Sequence, residues 1–172
     1  MIEVHSLPRN ADHARELLHL AAEVASLCAE LKIEPLLNGS LAVYAYTLAR
    51  DIDVHDVDLS CSESHFPALT ERLGKSGFEC SLTDWHVLQI RREGLKVEID
   101  SDEHWMKDVP IDSEELKIGP LNVRILRLHP LIELYRRGEL ATRRDSQQGA
   151  TAKHDHIADL LGRLTRLSSA AP

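Results

Sequence analysis

The sequence predicts an α/β fold built on a mixed sheet of about four to six strands, with helices on one face and a short C-terminal helical extension. Three observations support this prediction. Apolar residues recur at helical spacing near the N-terminus, strand-like alternation occupies the middle of the chain, and helical spacing returns near the C-terminus. The 172 residues, 43% of them hydrophobic, are enough to enclose a core. We expect residues 1–127 to form the main domain, with an N-terminal helix, and residues 128–172 to form an extension that does not fold independently.

Helices and strands alternate in the predicted first half of the chain. An amphipathic helix is expected near the N-terminus because Leu17, Leu20, Val24 and Leu27 recur at three- and four-residue spacing. Gly77 is expected to end a later amphipathic helix. The predicted elements of this half are, in order, a helix over 10–31, a strand over 32–38, an apolar helix over 40–50, a short strand through Val57 and Leu59, a helix over 64–76 and a strand over 78–82.

Two hairpins and two helices are predicted for the second half. Each hairpin has a two-residue turn that contains glycine between two runs of strand-like residues. The predicted elements are, in order, a hairpin of 86–92 and 95–100, an irregular acidic segment over 101–112, a hairpin of 115–118 and 121–126, a helix over 130–137, a mobile polar connection over 139–148 and a helix over 151–167. The irregular segment, which contains His104 and Trp105, could form a wall of an acceptor pocket or be an ordinary surface loop.

The pair Gly39-Ser40 follows an apolar run and opens the predicted helix over 40–50. The start of a helix offers free backbone N–H groups and the positive end of the helix dipole, where a polyphosphate can bind. Gly39 would let the backbone approach such a ligand closely. The alternative is a plain strand-to-helix turn in which Ser40 caps the helix.

Asp56 and Asp58 are spaced i and i+2 on the strand that follows. Because side chains alternate along a strand, both carboxylates lie on one face, and the apolar residues between and after them point to the core. Neighbouring carboxylates repel each other, and a divalent cation, a shared proton or a basic partner usually holds them. Asp51 and Asp53 have the same spacing but directly follow a helix, so we favour the later pair.

A Gly-Ser turn, a short helix and an Asp-x-Asp strand, in this order, resemble the nucleotidyltransferase superfamily, which includes DNA polymerase β and small antibiotic-modifying and minimal nucleotidyltransferases. The residues that carry the resemblance are Gly39, Ser40, Asp56 and Asp58. In this family a third carboxylate lies on a neighbouring strand, and Glu98 matches it here. Glu98 lies beside the aspartates if Val97 and Ile99 face the same core as the apolar residues of the aspartate strand. Asp100, at the end of the same strand, is the alternative third ligand, and Glu98 could instead be an exposed strand residue whose charge Lys96 balances.

The resemblance implies a nucleotidyltransferase-type fold and a Mg²⁺-dependent enzyme. Its reaction would be attack by an acceptor hydroxyl on the α-phosphorus of a nucleoside triphosphate such as ATP, with release of pyrophosphate. Asp56, Asp58 and Glu98 would be the catalytic and metal-binding residues, with two Mg²⁺ ions expected, and the third carboxylate could deprotonate the hydroxyl. Gly39, Ser40 and nearby backbone N–H groups would hold the phosphates.

Basic residues near the C-terminus would also bind the triphosphate. Related small nucleotidyltransferases often carry a basic residue followed by Asp on a C-terminal helix, and Lys153-His154-Asp155 is similar. Lys153 and Arg144 are therefore expected to be nucleotide-binding residues. The alternative for Lys153 is a solvated helix face.

The acidic composition limits the class of partner. A net charge of −8 and a pI near 5.6 argue against an extended nucleic acid, because surfaces that bind one are normally basic. This charge favours a small-molecule acceptor, in particular a cationic one, or a protein side chain. Three cysteines without CxxC spacing, no signal-like N-terminus and no membrane-spanning apolar run predict a cytoplasmic protein without membrane contact. The oligomeric state stays open.

Two other functions are compatible with the same residues. A non-catalytic relative could act as an interaction or antitoxin-like module, and it would not bind a nucleotide with Mg²⁺. A metal-dependent phosphohydrolase could use the same carboxylates, and it would release free nucleotide instead of pyrophosphate and a modified acceptor.

Overall fold

A mixed sheet of eight strands is the framework of the computed structural model, which describes residues 1–147 and 151–170 and the side chains of residues 1–143 and 152–170. The strands are β1 (Ile2–Val4), β2 (Leu36–Leu37), β3 (Val57–Cys61), β4 (Glu79–Leu82), β5 (Val87–Arg92), β6 (Leu95–Ser101), β7 (Ser113–Ile118) and β8 (Leu121–Leu126). The helices are α1 (Ala11–Glu30), α2 (Gly39–Thr47), α3 (Phe66–Lys75), α4 (Asp102–Trp105), α5 (Leu128–Gln147) and α6 (Thr151–Ala170), and a 3₁₀ turn at Glu63–His65 precedes α3.

The strand order is β1-β7-β8-β2-β3-β6-β5-β4. Strand β2 joins the two halves of the sheet, because it runs antiparallel to β3 on one side and parallel to β8 on the other. The pairs β1·β7 and β3·β6 are also parallel, whereas β4·β5, β5·β6 and β7·β8 are antiparallel. The predicted mixed α/β class with C-terminal helices is therefore confirmed, although the sheet has more strands than the predicted four to six.

Strands β3 and β6 separate core residues from polar residues. Their parallel register places Asp58 beside Glu98. The flanking positions of both strands face the core and are filled by Val57, Leu59, Val97 and Ile99, each 0% exposed. Because side chains alternate, Asp58 and Glu98 project from the other face of the sheet. Helix α1 packs against β3, β6 and β8 and gives this region a rigid support.

Two elements of the first half are shorter than predicted. The strand predicted over 32–38 is reduced to β2, because the chain leaves α1 through a turn in which Lys32 takes a φ of 60°. The helix predicted over 40–50 ends at Thr47. There Leu48 adopts the left-handed conformation and its N–H donates to the carbonyl oxygen of Tyr44.

The mobile connection predicted over 139–148 is wrong for residues up to 147, because α5 continues to Gln147. Residue 148 lies outside the described residues. The polar residues of this stretch form helical contacts instead: Arg143 pairs with Glu139 one turn earlier at 2.9 Å, and Thr142 Oγ1 donates to the carbonyl oxygen of Gly138 at 3.0 Å. Helix α5 packs along α6, which supplies the apolar contact that the local sequence lacks.

The segment predicted to be irregular over 101–112 begins with the single turn of α4. Its N-cap is Ser101, whose Oγ accepts a hydrogen bond from the backbone N–H of His104 at 3.3 Å.

Helix α6 packs into the rest of the molecule through its apolar side. It contacts α2 as well as α5, and its Leu160 and Leu164 are 2% and 0% exposed. Among the described helices, none is both long enough and apolar enough to cross a membrane.

Candidate metal and nucleotide site

Three carboxyl groups meet on the polar face of the sheet. Ligand atoms of Asp56, Asp58 and Glu98 lie within 4.8 Å of one another, so one cation could contact all three. Asp58 and Glu98 are register neighbours, and Asp56 lies two residues before Asp58, one residue ahead of β3. Asp100 is paired in register with Ser60, one pair further along the same face, and is not part of this group of three.

Lys96 lies between two of these carboxylates. Its Nζ is 2.9 Å from Asp56 Oδ2 and 3.0 Å from Glu98 Oε1. Glu98 Oε1 also accepts a hydrogen bond of 2.7 Å from Gln89 Nε2 on β5. Partial burial alone would lower the pKa of Lys96, but the hydrogen bonds and charges of Asp56 and Glu98 outweigh it and raise that pKa. Lys96 therefore stays protonated and adds a positive charge to the cluster.

Asp58 lies in surroundings that disfavour its negative charge. Burial raises the pKa of Asp58 well above its ordinary value, and the charges of Asp56, Asp100 and Glu98 raise it further. Lys96 opposes these effects only in part. A divalent cation would stabilise the charged form, and hard carboxylate oxygens are the donors that Mg²⁺ prefers. The residues present therefore fit a Mg²⁺ site.

Asp100 and Asn38 form a second polar group beside the cluster. Burial raises the pKa of Asp100 to about 7, and the charge of Glu98 contributes, whereas the neighbouring Asn38 amide lowers it in part. Asn38 is 4% exposed, and its Nδ2 makes no hydrogen bond of normal geometry among the described residues. The Asn38 amide therefore interacts with Asp100 without a hydrogen bond of normal geometry, and its Nδ2 could also donate to an oxygen of a bound ligand.

The turn into α2 is pressed against Asp58. The backbone N–H of Asn38 donates to the carbonyl oxygen of Asp58 at 2.9 Å. Gly39 has a φ of +67°, and a Cβ at this position would overlap the Asp58 carboxylate. Gly39 is thus required both by its backbone conformation and by the space that Asp58 occupies. The first N–H groups of α2, with Ser40 in the first turn, begin directly beside the carboxylates.

A cleft of about 540 Å³ opens at this point, a volume typical of small-molecule sites. The sheet and the α2 turn contribute Asn38, Gly39, Asp58 and Asp100. The segment that begins with α4 contributes His104, Trp105, Met106, Lys107 and Asp108. The C-terminal helices contribute Leu134, Tyr135, Arg137, Gly138, Ala141, Lys153 and Ile157. The cleft is therefore acidic at the sheet and mainly apolar, with scattered cations, along the helices.

The predicted nucleotide-binding residues differ in their position relative to the cleft, and for one of them the side chain is outside the described residues. Lys153, exposed on α6, lines the cleft. Ser40 lies in the first turn of α2, next to the lining residue Gly39. Arg144 lies on α5, but its side chain is outside the described residues. The segment over 101–112, for which both a pocket wall and an ordinary surface loop were open interpretations, lines the cleft through His104 and Trp105.

The competing Asp-x-Asp pair has other partners. Asp51 forms a two-bond ion pair with Arg163 of α6, with distances of 2.7 and 2.8 Å. Asp53 pairs with Arg9 near the N-terminus. Both aspartates therefore contribute to packing between distant parts of the chain, and the structure places Asp56 and Asp58, not this pair, beside Glu98.

Sequence reasoning missed several residues of the site. The contact of Lys96 with Glu98 was among the alternatives that the sequence offered, but its contact with Asp56 and the contact of Gln89 depend on strand register, which no local pattern reveals. Tyr135 on α5 lines the cleft, and burial raises its pKa, with smaller contributions from the charges of Asp58 and Asp56. Arg137 donates to the carbonyl oxygens of Lys107 and Asp108 and so connects α5 to the segment after α4. The available signal for this side of α5 is the i, i+3, i+4 and i+7 spacing of Leu134, Arg137, Gly138 and Ala141, which all line the cleft; it does not include Tyr135.

No protein-family model matches the sequence, and no curated protein matches it. The fold, in contrast, is similar to solved structures. The antibiotic-resistance factor ANT(2″)-Ia in solution gives a TM-score of 0.61 at 15% identity, over 91% of this chain and 89% of that chain. An antigenic nucleotidyltransferase-like protein from Paracoccidioides brasiliensis gives 0.62 at 16% identity, over 90% and 78%. The lincosamide antibiotic adenylyltransferase LnuA, bound to lincomycin, gives 0.52 at 12% identity, over 83% and 94%.

Identities of this size establish a shared fold and leave the activity to be argued from the residues. The similarity extends over most of this chain and most of each matched chain. The resemblance carried by the Gly-Ser turn and the Asp-x-Asp strand is thus confirmed for the fold, and the chain has a nucleotidyltransferase-like fold.

Proposed function

We propose that this protein is a Mg²⁺-dependent nucleotidyltransferase. It transfers a nucleoside monophosphate from a nucleoside triphosphate such as ATP to a hydroxyl group of a small-molecule or protein acceptor, and it releases pyrophosphate. The observation that carries the proposal is the convergence of Asp56, Asp58 and Glu98. Of these three, Asp58 lines the cleft, together with Gly39 at the start of α2 and Lys153 of α6.

In this proposal Asp56, Asp58 and Glu98 hold Mg²⁺. The bound metal supplies charge neutralisation for the phosphates and a lower pKa for the acceptor hydroxyl. Glu98 or Asp100 accepts the proton of that hydroxyl. Asp100 lines the cleft, so it lies where an acceptor hydroxyl would bind.

The phosphates bind where the chain offers positive charge and free donors. Ser40 and the first N–H groups of α2 face the triphosphate, and Asn38 Nδ2 supplies a further donor. Lys153 adds a positive charge from α6, at the same cleft. Arg144 is proposed as a second cation because of its place in the sequence on α5.

The charge of the protein supports a compact acceptor over an extended nucleic acid. The net charge is −8, and the acidic face of the sheet lies at the cleft. ANT(2″)-Ia has been solved in complex with adenylyl-2″-tobramycin, at 14% identity to this chain. A cationic small molecule is therefore the first acceptor class to test.

A nucleotide titration with a matched control tests the proposal. Each of the four common nucleoside triphosphates is titrated into the protein by calorimetry, with and without Mg²⁺, and compared with Asp56→Asn/Asp58→Asn and with Asp51→Asn/Asp53→Asn. We expect Mg²⁺-dependent binding that the first double variant loses and the second keeps, because only Asp56 and Asp58 lie beside Glu98. An acceptor screen for pyrophosphate release follows.

Other outcomes would select other functions. If the wild type binds none of the four nucleotides with Mg²⁺, the protein is better described as a non-catalytic module with this fold. If free nucleotide appears without a modified acceptor, the carboxylates serve a phosphohydrolase.

A further inference from the structure

We infer that Lys96 is an internal cation that neutralises Asp56 and Glu98 until a divalent cation displaces it, and that Lys96 thereby weakens metal binding. The inference rests on the proposed function, because it takes Asp56, Asp58 and Glu98 as the metal ligands. It adds Lys96 as a residue that lowers the metal affinity of this site.

The position of Lys96 follows from strand register. Val57 pairs with Val97 in the parallel β3·β6 register. One step earlier on each strand, the same register brings Asp56 beside Lys96, and two residues later on β6 comes Glu98, on the same face as Lys96. The ammonium group therefore reaches both carboxylates, at 2.9 Å and 3.0 Å.

The hydrogen bonds of Glu98 show why Lys96 and a metal compete. Glu98 Oε1 accepts from Gln89 Nε2 at 2.7 Å and also contacts Lys96 Nζ at 3.0 Å. A carboxylate oxygen has about two lone-pair sites, so this atom is fully occupied. A metal that binds through it must replace one of the two donors, and the cation is the donor that a metal repels.

The side chain of Lys96 can leave the cluster. It is 29% exposed, so it already reaches solvent, and its four-carbon stem can adopt other rotamers. Asp56 is also 29% exposed and Glu98 is 19% exposed. A metal can therefore approach these two carboxylates from the solvent side while the ammonium group moves outward.

The charges of the cluster predict how removal of the Lys96 charge changes the stability and the metal affinity of the protein. With Lys96 in place, one positive charge offsets part of the negative charge of the cluster. Removing that charge leaves the carboxylates unopposed. The metal-free protein then becomes less stable, and a divalent cation binds more tightly because it no longer displaces an ammonium group.

The test measures binding of Mn²⁺ alone, by electron paramagnetic resonance at fixed pH and without nucleotide. The variants are Lys96→Met, which keeps the unbranched stem up to the position of Cε and loses the charge, and Lys96→Arg, which keeps the charge. Lys117→Met is the control, because Lys117 is an exposed lysine of strand β7. We expect Lys96→Met to tighten Mn²⁺ binding by about tenfold or more, Lys96→Arg to stay near wild type, and Lys117→Met to change nothing.

Thermal unfolding gives a second readout on the same proteins. Lys96→Met should have a lower Tm than wild type without metal and should gain more from added Mn²⁺. Lower stability without tighter Mn²⁺ binding would mean that Lys96 has a structural role only, and it would overturn the inference. Equal or weaker binding by Lys96→Met would overturn it too and leave the metal site standing. If neither wild type nor Lys96→Met binds Mn²⁺, the metal site of the proposed function fails, and this inference fails with it.

Discussion

At the scale of single residues, the contact between Gly39 and Asp58 determines how closely the α2 turn approaches the carboxylates. The turn has positive φ at Gly39, and Asp58 occupies the volume that a Cβ would need. The same aspartate accepts the backbone N–H of Asn38 through its main chain. The groups that we propose to bind phosphate and metal are therefore in direct contact, which is the arrangement that one metal–triphosphate complex would require.

Gly39→Ala is expected to destabilise the protein and to abolish nucleotide binding, because the new methyl group displaces Asp58. Gly77→Ala is the matched control, since Gly77 also has positive φ, +85°, but has open space around it. The control should lose only the conformational contribution, about 1–2 kcal/mol, and Gly39→Ala should lose more. Urea denaturation and ATP titration measure the two effects. Equal losses and retained ATP binding in both variants would contradict this account.

Alternation along each strand predicts which residues share a face of the sheet. Which of them lie in contact depends on the register between strands. The two-residue period places Asp56 and Asp58 on one face, and the same argument places Glu98 and Asp100 on one face of the next strand. Only the pairing of Asp58 with Glu98 gathers three oxygens within 4.8 Å. The contact of Lys96 with Asp56 depends on the same pairing and could not be predicted from sequence, whereas its contact with Glu98, two residues along the same strand, could.

At the scale of elements, the segment that begins with α4 is fixed to the rest of the molecule through Glu103. Its carboxylate accepts hydrogen bonds from the backbone N–H of Glu63, at 2.8 Å, and from Ser62 Oγ. His86, paired with Glu63 at 3.0 Å, stacks on His104 with ring centroids 4.5 Å apart. This wall of the cleft is thus held by polar contacts and ring stacking, with Trp105 left 40% exposed.

The stability that Glu103 contributes should depend on pH. The backbone N–H of Glu63, with further hydrogen bonds, lowers the pKa of Glu103 to about 2. A carboxyl group whose pKa is lowered on folding stabilises the protein above its unfolded pKa, and this stabilisation is lost as the pH falls toward the folded value. Glu103→Gln should therefore reduce the Tm at neutral pH, and the difference from wild type should shrink below about pH 4.5.

The check is a series of thermal melts from pH 7 to pH 3, with Glu16→Gln on the exposed side of α1 as the control. A difference between wild type and Glu103→Gln that stays constant over this range would rule out the assigned role of the Glu103 charge.

Composition misled the prediction for the second half of α5. Residues 139–147 are polar, which favours a loop on sequence grounds, yet the structure has a helix there. Long helices on a surface can be polar on most of their circumference when i, i+4 ion pairs and one packed side support them. Here the ion pair is Glu139–Arg143, and the packed partner is α6, which comes later in the chain.

At the scale of the whole molecule, the α5–α6 pair is part of the same hydrophobic core as the sheet. Leu160 and Leu164 belong to the buried cluster that also contains the residues of β3 and β6. The ion pair between Arg163 and Asp51 attaches α6 close to the end of α2. Lys153 is therefore presented to the cleft by an element that core packing holds in place.

Leu164→Ala should lower the free energy of unfolding of the whole chain by about 2–5 kcal/mol, because the side chain is fully buried. Leu167→Ala on the same helix is the control, since Leu167 is 36% exposed and should lose far less. Chemical denaturation followed by circular dichroism should show one cooperative transition for each protein. Two separate transitions would mean that residues 128–172 fold on their own, against the prediction that they do not.

The class of the sheet could be predicted from the sequence, but its strand order could not. Hairpins β5·β6 and β7·β8 have local turns, and both were expected. Strand β1 has three residues and pairs with β7, more than a hundred positions away, so its sequence contains little information about its partner. Strand β2 has two residues, and yet it joins both halves of the sheet.

Because β2 is so short, an insertion or deletion in it would disturb the candidate site directly. Leu36 and Leu37 are held on both sides, by β3 and β8, and the next two residues form the turn against Asp58. An inserted or deleted residue here would exchange inward and outward positions, and it would move Asn38 from the cleft into the core. The number of residues between the sheet and the helix is therefore as strictly limited as the identity of Gly39 itself.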